Sequence, residues 1–346
     1  MSVITILGAG AMGSALATPL TQAGWTTRLW GTWLDDHLID ACEAGKPHPR
    51  TNVPLAAGTE LYRSEQLSEA LDGADAVFIA VASVGVPTIT EMALNAISKA
   101  SVVLCTSKGF WTDPGGRIQL LPDAIRAIAA EHGVPIPPIV GVGGPCKANE
   151  VAAGKPTATI YGCLDQATAL RMAREIGTEV YRVEPTTDEP GVEVCAPMKN
   201  VYAIALGIAD GLEEATGFAH HNLKSAVFAQ AVKEMSIASV AFGARPETAY
   251  GLAGVGDLEV TGLSGRNKVY GVRIGRGEGA HEALAAMEAA EQTVEGVPAA
   301  GLAMTLVEQA GNGLIDELPL LKAVTAIIAG AEHPERLVAD AALPPR

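Results

Sequence analysis

Charge, aromatic rings and clustered cysteine are all scarce in this chain. Charged residues make up 18% and aromatic residues 4% of its 346 residues, while 48% are hydrophobic. That balance excludes a disordered chain and predicts large buried cores. Lys and Arg number 24 against 39 Asp and Glu, a formal net charge of −15. A nucleic-acid surface, which needs clustered basic residues to neutralise phosphates, is therefore not expected. The five cysteines, at 42, 105, 146, 163 and 195, are odd in number and form no Cys-x-x-Cys pair, so neither a disulfide frame nor a zinc site is expected. The adjacent His220 and His221 diverge on a helix and make no metal site by themselves. No apolar run approaches the ~20 residues of a membrane span, and Met1-Ser2 leads into the first strand without a basic, cleavable leader. A cytoplasmic protein without membrane insertion is expected.

What the chain does have is glycine where a ligand would need space. Val3-Ile4-Thr5-Ile6-Leu7 reads as a buried strand, Gly8-Ala9-Gly10-Ala11-Met12-Gly13 matches Gly-x-Gly-x-x-Gly, and Ser14 to Ala23 reads as a helix. This order suits a dinucleotide. Gly8 permits the tight turn, Gly10 lets backbone amides approach a pyrophosphate, Gly13 lets helix and strand pack closely, and the helix N-terminus supplies partial positive charge. A second strand, Thr26 to Trp30, ends at Gly31-Thr32, where an acid would hold the ribose 2′-hydroxyl of NAD and a basic residue the 2′-phosphate of NADP. Thr32 stands there, with Asp35 and Asp36 further on, a pattern that selects neither cofactor.

Further strands are predicted over Asp75 to Val81, Val102 to Thr106, Ile139 to Val142 and Ala158 to Tyr161. Strands alternating with helices predict a doubly wound, mostly parallel sheet whose ligands bind beyond the carboxyl ends of the strands, where Gly8, Ser83, Lys108 and Gly144 all fall. The chain is too long for one ordinary core, and its composition breaks at Glu184 to Gly191, a polar, proline-bearing stretch. Beyond it strand signals stop. Helical patterns run over Glu193 to Leu212, Asn222 to Gly243, Pro246 to Leu252, Gly279 to Glu291, Gly296 to Ala310 and Leu318 to Ile328. The reading is an α/β N-terminal Rossmann domain at 1–189, an all-α substrate and catalytic domain at 190–340, and a C-terminal tail at 341–346 whose end, Leu343-Pro344-Pro345-Arg346, is expected to be frayed.

Three polar spots interrupt the apolar second half. Lys199, in Pro197-Met198-Lys199-Asn200, is either a snorkelling surface residue or a buried functional amine. Asp257 lies between small residues in Gly254-Val255-Gly256-Asp257. Gly265 leads Arg266-Asn267, a pair suited to an anion because the guanidinium forks onto phosphate oxygens and the amide adds a donor.

In GAGAMG at 8–13, SKG at 107–109, GGPCKANEVAAGKPT at 143–157, MKNVYAIALGIADG at 198–211, ETAYGLAGVGDL at 247–258, GRN at 265–267 and VEG at 294–296, the sequence resembles the NAD(P)-dependent glycerol-3-phosphate dehydrogenase family along nearly its whole length. The resemblance implies NAD or NADP as cofactor, a small phosphorylated substrate and hydride transfer between glycerol 3-phosphate and dihydroxyacetone phosphate. It makes Lys199 the proton acceptor in oxidation and the donor in reduction, with Lys108 touching cofactor and substrate and Asp257 beside the reacting hydroxyl. Arg266 and Asn267 would take the phosphate, and Gly144, Cys146, Thr261 and Gly265 would also line the substrate. Gly8, Gly10, Ala11, Met12, Gly13, Thr32, Ser83, Ala148 and Glu295 fall at cofactor contacts, with Arg266 shared. A homodimer is expected by the same analogy.

A lysine that accepts a proton near neutrality needs its affinity lowered by burial or a neighbouring cation such as Lys108, so Asp257 is expected to orient Lys199 or the hydroxyl without a tight ion pair. The chain departs from the family at Cys146-Lys147, where a small or hydroxyl residue and an apolar one are usual, and at Glu213 to His221, a segment expected to border the active site. Two alternatives remain open on the residues: the same hydride chemistry on another small polyol or ketose phosphate, and a nucleotide-sensing, non-catalytic homologue. A β-hydroxyacid dehydrogenase is disfavoured, because it needs Lys-x-x-x-Asn where Lys199 and Asn200 are adjacent.

Overall fold

A computed structural model of the chain describes residues 2–290 and 292–345. Met1, the end of the helix expected to reach Glu291, and Arg346 of the expected tail lie outside the described residues. The chain divides into two compact units, Met1–Lys108 with Leu120–Glu189, and Gly109–Gln119 with Pro190–Arg346. The single cut expected at 189 therefore misses the short segment Gly109–Gln119, which groups with the helices although its sequence lies among strands.

The strands in chain order are β1 Val3–Leu7, β2 Thr26–Trp30, β3 Glu60–Tyr62, β4 Ala76–Ile79, β5 Val102–Cys105, β6 Phe110–Thr112, β7 Ile118–Leu120, β8 Ile139–Gly143, β9 Thr157–Gly162 and β10 Tyr181–Thr186. Eight of them form one sheet in the order β10-β9-β8-β5-β4-β1-β2-β3, and β6 and β7 form a separate ribbon. In the large sheet β8 and β9 pair antiparallel, with Val142 opposite Tyr161, and the other pairs are parallel. The middle strands are short, continuous apolar runs because both faces are covered: Ile4, Ile6, Leu7, Val77, Phe78, Val103 and Leu104 are wholly buried. Two edge strands escaped the sequence reading. β3 is short and only partly buried, and β10 runs into the polar break at Glu184-Pro185-Thr186, where an edge position tolerates a proline that has no N–H to give a neighbour.

The second unit is helical apart from the β6–β7 segment. Its longest helix, Glu189–Thr216, begins inside the same polar break. It is long and apolar enough to cross a membrane, and its apolar stretch is entirely buried within the protein. The expectation that no apolar run approaches this length is corrected by this buried core helix. His221–Ala241, Gly296–Ala310, Pro319–Ile328 and Pro334–Ala342 pack with it or with one another. The last of these carries Ala341 and Ala342 as helix, two residues past the expected start of the tail, and ends before Leu343.

Three helices of this unit went unread in the sequence, Pro334–Ala342 and the pair Asp257–Ser264 and Arg266–Gly275, of which the pair contains glycine. Glycine lowers the pair's intrinsic helix preference, and packing supplies the reason for it. A methyl group on Gly207 would overlap the carbonyl oxygen of Lys268, and one on Gly211 that of Val272; in return, Gly271 faces the oxygen of Ile204 and Gly275 that of Ile208. The core helix and Arg266–Gly275 thus meet backbone to backbone through matched Gly-x-x-x-Gly pairs. The crossing brings the start of Arg266–Gly275 toward the stretch of the core helix that holds Lys199 and Asn200.

Candidate active site

At the end of β1 the chain turns through Gly8, whose φ of 113° is open to glycine and strained for other residues. A side chain there would press on Ala80 and Val81 at the end of β4, and one on Gly13 would overlap the carbonyl oxygen of Gly8. These two glycines are consumed by packing. Gly10 differs: a methyl on it would meet nothing nearer than Arg50 Nη1 at 3.9 Å. The helix that follows, Ala11–Gln22, has no side-chain cap and no acid in its first turn, so its leading N–H groups and partial positive charge face this opening. An anionic, pyrophosphate-bearing cofactor fits that cradle, whose turn Gly8 and Gly13 shape by packing and whose opening lies at Gly10, Ala11 and Met12.

Thr32, Ser83, Lys108 and Gly144 follow the carboxyl ends of β2, β4, β5 and β8. With Gly8 they line one margin of the sheet, on either side of the β1–β4 switch point where an open α/β sheet binds ligands. Ser107 Oγ donates to Val81 O at 2.6 Å and ties two of these ends together. Lys108 is half-buried and is the last residue of its stretch of the first unit. Cys146 packs against the sheet core with Ala148, and its thiol donates to Ala158 O at 3.9 Å. Lys147 is exposed at the start of the short helix Ala148–Ala152.

In the helical unit, Lys199 is 6% and Asp257 2% exposed. Lys199 Nζ lies 2.9 Å from Asp257 Oδ1 and donates to Thr261 Oγ1 at 2.7 Å. The expectation of no tight ion pair is thereby overturned. A one-turn π-helix, Leu252–Gly256, delivers Asp257 to the first turn of its helix, and a carboxylate buried this deeply needs a cation beside it. Of the two readings open for Lys199, the buried amine is the one found.

Next to the pair runs a chain of amides. Asn267 Nδ2 donates to Asn200 Oδ1 at 2.9 Å, Asn200 Nδ2 donates to Glu295 Oε2 at 3.2 Å, and the N–H of Gly296 donates to Asn267 Oδ1 at 2.8 Å. A methyl on Gly296 would meet Asn200 O at 2.5 Å, so glycine is needed for this contact. Asn267 is thus turned inward and buried, with its oxygen and one N–H already used. Arg266 is the exposed member of the Gly265-Arg266-Asn267 motif, its side chain 50% accessible and its guanidinium 3.6 Å from Glu295. Gly265 precedes the helix without offering a side-chain cap. Asn200 lies within the Met198–Gly211 motif and is absent from the expected site residues; its signal is an amide on a buried, otherwise apolar face. The segment Glu213 to His221 does not border Lys199, since a rise of 1.5 Å per residue carries it roughly 20 Å beyond that residue along the helix.

The sequence profile of the NAD-dependent glycerol-3-phosphate dehydrogenase N-terminus matches residues 3–169, and that of the C-terminus matches 188–339. The chain belongs to this family. It is 35% identical to an NADP(+)-dependent glycerol-3-phosphate dehydrogenase of Archaeoglobus fulgidus over 83% of this chain and 84% of that protein. It is 31% identical to a glycerol-3-phosphate dehydrogenase [NAD(P)+] of Nitratidesulfovibrio vulgaris over 97% of each. A crystal structure of glycerol-3-phosphate dehydrogenase from Coxiella burnetii superimposes with a TM-score of 0.83 at 29% identity, covering 98% of both chains. As a member of the family the chain is an oxidoreductase that uses a nicotinamide dinucleotide, NAD or NADP. Among the described residues no group of His, Cys, Asp and Glu is arranged to hold a metal ion.

Proposed function

We propose that the chain interconverts sn-glycerol 3-phosphate and dihydroxyacetone phosphate, with Lys199 as the acid and base. The observation that carries this reading is the buried amine of Lys199, held between Asp257 and Thr261 in a member of this family. When bound, the nicotinamide supplies the hydride acceptor or donor at the substrate carbon. A proton must then move at the substrate oxygen, and Lys199 Nζ is the group suited to carry it. Asp257 and Thr261 fix the direction of the amine. Burial favours the neutral amine and the carboxylate favours the ammonium, so the pair balances two opposed influences on one nitrogen. Lys108 contacts cofactor and substrate. Arg266 receives the substrate phosphate together with the uncapped N–H groups of its helix start, while Asn267, through Asn200 and Gly296, holds that helix start in place. The enzyme works in the cytoplasm as a homodimer and has no nucleic-acid partner.

The test is oxidation of NADH and, separately, NADPH by purified protein with dihydroxyacetone phosphate, beside longer ketose phosphates. Turnover of the three-carbon substrate is expected. If only a longer phosphate reacts, the reading passes to that substrate; if none reacts while dinucleotide still binds, the chain is a nucleotide-binding homologue without catalysis.

A further inference from the structure

Both acids near the tip of β2 are bonded within the protein. Asp35 is 7% exposed. Its Oδ2 accepts from the N–H of Ala9 at 3.3 Å, the N–H of Thr32 at 3.2 Å and Thr32 Oγ1 at 2.9 Å. Asp36 accepts from the N–H and hydroxyl of Ser64 at 3.0 and 2.9 Å. Asp35 thus spends one oxygen on three bonds within its own turn, and Asp36 gives both of its oxygens to Ser64.

A basic residue is brought to the glycine loop by a different route. His48 is buried, and its Nε2 meets Ala9 O at 2.9 Å while its Nδ1 accepts the N–H of Arg50 at 3.3 Å. One neutral tautomer, with the proton on Nε2, satisfies both bonds, and burial pushes the ring's pKa down in agreement. Ala9 is therefore gripped through its N–H by Asp35 and through its carbonyl by His48. The turn closed by the His48–Val53 bridge carries Arg50 against the glycine loop. The Arg50 side chain reaches the open side of Gly10. Arg50 is exposed and, among the described residues, pairs with no carboxylate.

We propose that Arg50 is the specificity-determining residue for the cofactor and that it selects NADP(H) over NAD(H) by forking onto the adenosine 2′-phosphate. The inference rests on the reading of Gly8–Gly13 as the dinucleotide cradle. The backbone N–H groups of that cradle already serve a pyrophosphate, whereas a dianionic 2′-phosphate requires a cation of its own, and a planar guanidinium matches its geometry.

The test is calorimetric binding of NADP+ and NAD+ to the full chain, with adenosine 2′,5′-bisphosphate and adenosine 5′-phosphate as fragments. NADP+ should bind the native chain about ten- to a hundredfold more tightly than NAD+, the range of a charge-assisted contact. Arg50→Gln should bring the ratio near one by weakening NADP+ and the bisphosphate, with NAD+ affinity changed less than about threefold. Arg50→Lys keeps the charge and should keep part of the preference, which guards against a variant that merely folds poorly. Equal affinity of the native chain for both dinucleotides would overturn the proposal, as would a preference that survives in Arg50→Gln. So would equal weakening of both dinucleotides, which would make Arg50 a pyrophosphate contact. Failure of both dinucleotides to bind the native chain would instead overturn the cradle reading beneath it.

Discussion

In the nucleotide unit a methyl on Gly10 would enter open space, with only the tip of Arg50 at 3.9 Å; in the helical unit a methyl on Gly207, Gly211, Gly271 or Gly275 would run into the backbone of the facing helix. The same residue type leaves room for a molecule in one region and lets two helices fill all the room in the other. Glycine in a sequence therefore marks close approach without saying what approaches. The chemistry-bearing side chains sit beside the filled kind: Lys199 and Asn200 precede Gly207 on the core helix, and Arg266 and Asn267 precede Gly271 on its partner. One region is built to accept a ligand, and the other to hold a reactive amine still.

The largest expected effect separates these tasks. Lys199→Ala should lower kcat by about 10²–10⁴, the worth of a positioned acid or base, while dinucleotide affinity changes less than about threefold. Steady-state kinetics beside calorimetry would check it; a fall in kcat of less than about tenfold would assign the proton to another group.

Glycine itself offers the next test, in paired variants. Gly271→Ala should destabilise the protein by about 3 kcal/mol, the upper part of the range for overpacking, because the obstruction is backbone and cannot rotate aside. Gly10→Ala should change stability by less than about 0.5 kcal/mol and show its effect in dinucleotide binding. Chemical denaturation of both variants would sharpen the contrast, and equal losses of stability would abolish it.

A smaller effect concerns how closed the helical interior is. Glu234 is fully buried and accepts from Tyr202 Oη at 2.9 Å, Gln230 Nε2 at 2.9 Å and the N–H groups of Leu320 and Leu321 at 2.6 and 2.9 Å. Burial pushes its carboxyl up from the ordinary 4.5. The stability it lends through that shift is complete below the unfolded value and is lost as pH rises through the higher folded one. Glu234→Gln, which does not titrate, should therefore show less loss of stability than the native chain between acidic and mildly alkaline pH. Melting curves across that interval would reveal it, and parallel pH profiles would mean that the carboxyl is not raised.

The sheet was legible where periodicity and burial agree. β1, β2, β4, β5, β8 and β9 are apolar runs bounded by turns, and the Gly8–Gly13 loop follows the first of them. β3 was hidden because it is short and only partly buried, β10 because it is partly polar and carries a proline, and β6 and β7 because three residues leave no period to detect. The helices from Asp257 to Gly275 were hidden by the glycines that make their packing possible. Of the site, Lys199, Asp257 and Arg266 stood out as polar residues among apolar or small ones. The His48–Arg50 turn gave no such signal, since its position depends on bonds to Ala9, far away in the chain, and the bonding of Asp35 and Asp36 within the protein is a matter of rotamer.

The segment Gly109–Gln119 also bears on inheritance. Gln309, on the helix Gly296–Ala310, accepts the N–H of Ile118 at 2.9 Å and donates to Gly116 O at 2.9 Å, and Phe110 and Ile118 are buried. The gene has a visible seam near codon 189, but the folded units do not part along it. A recombination event at that seam would transplant the helices without the ribbon that Gln309 binds and leave Phe110 and Ile118 to a foreign partner. The two halves are therefore expected to travel together, and a chimaera that exchanges them should succeed only when the ribbon crosses over with the helices.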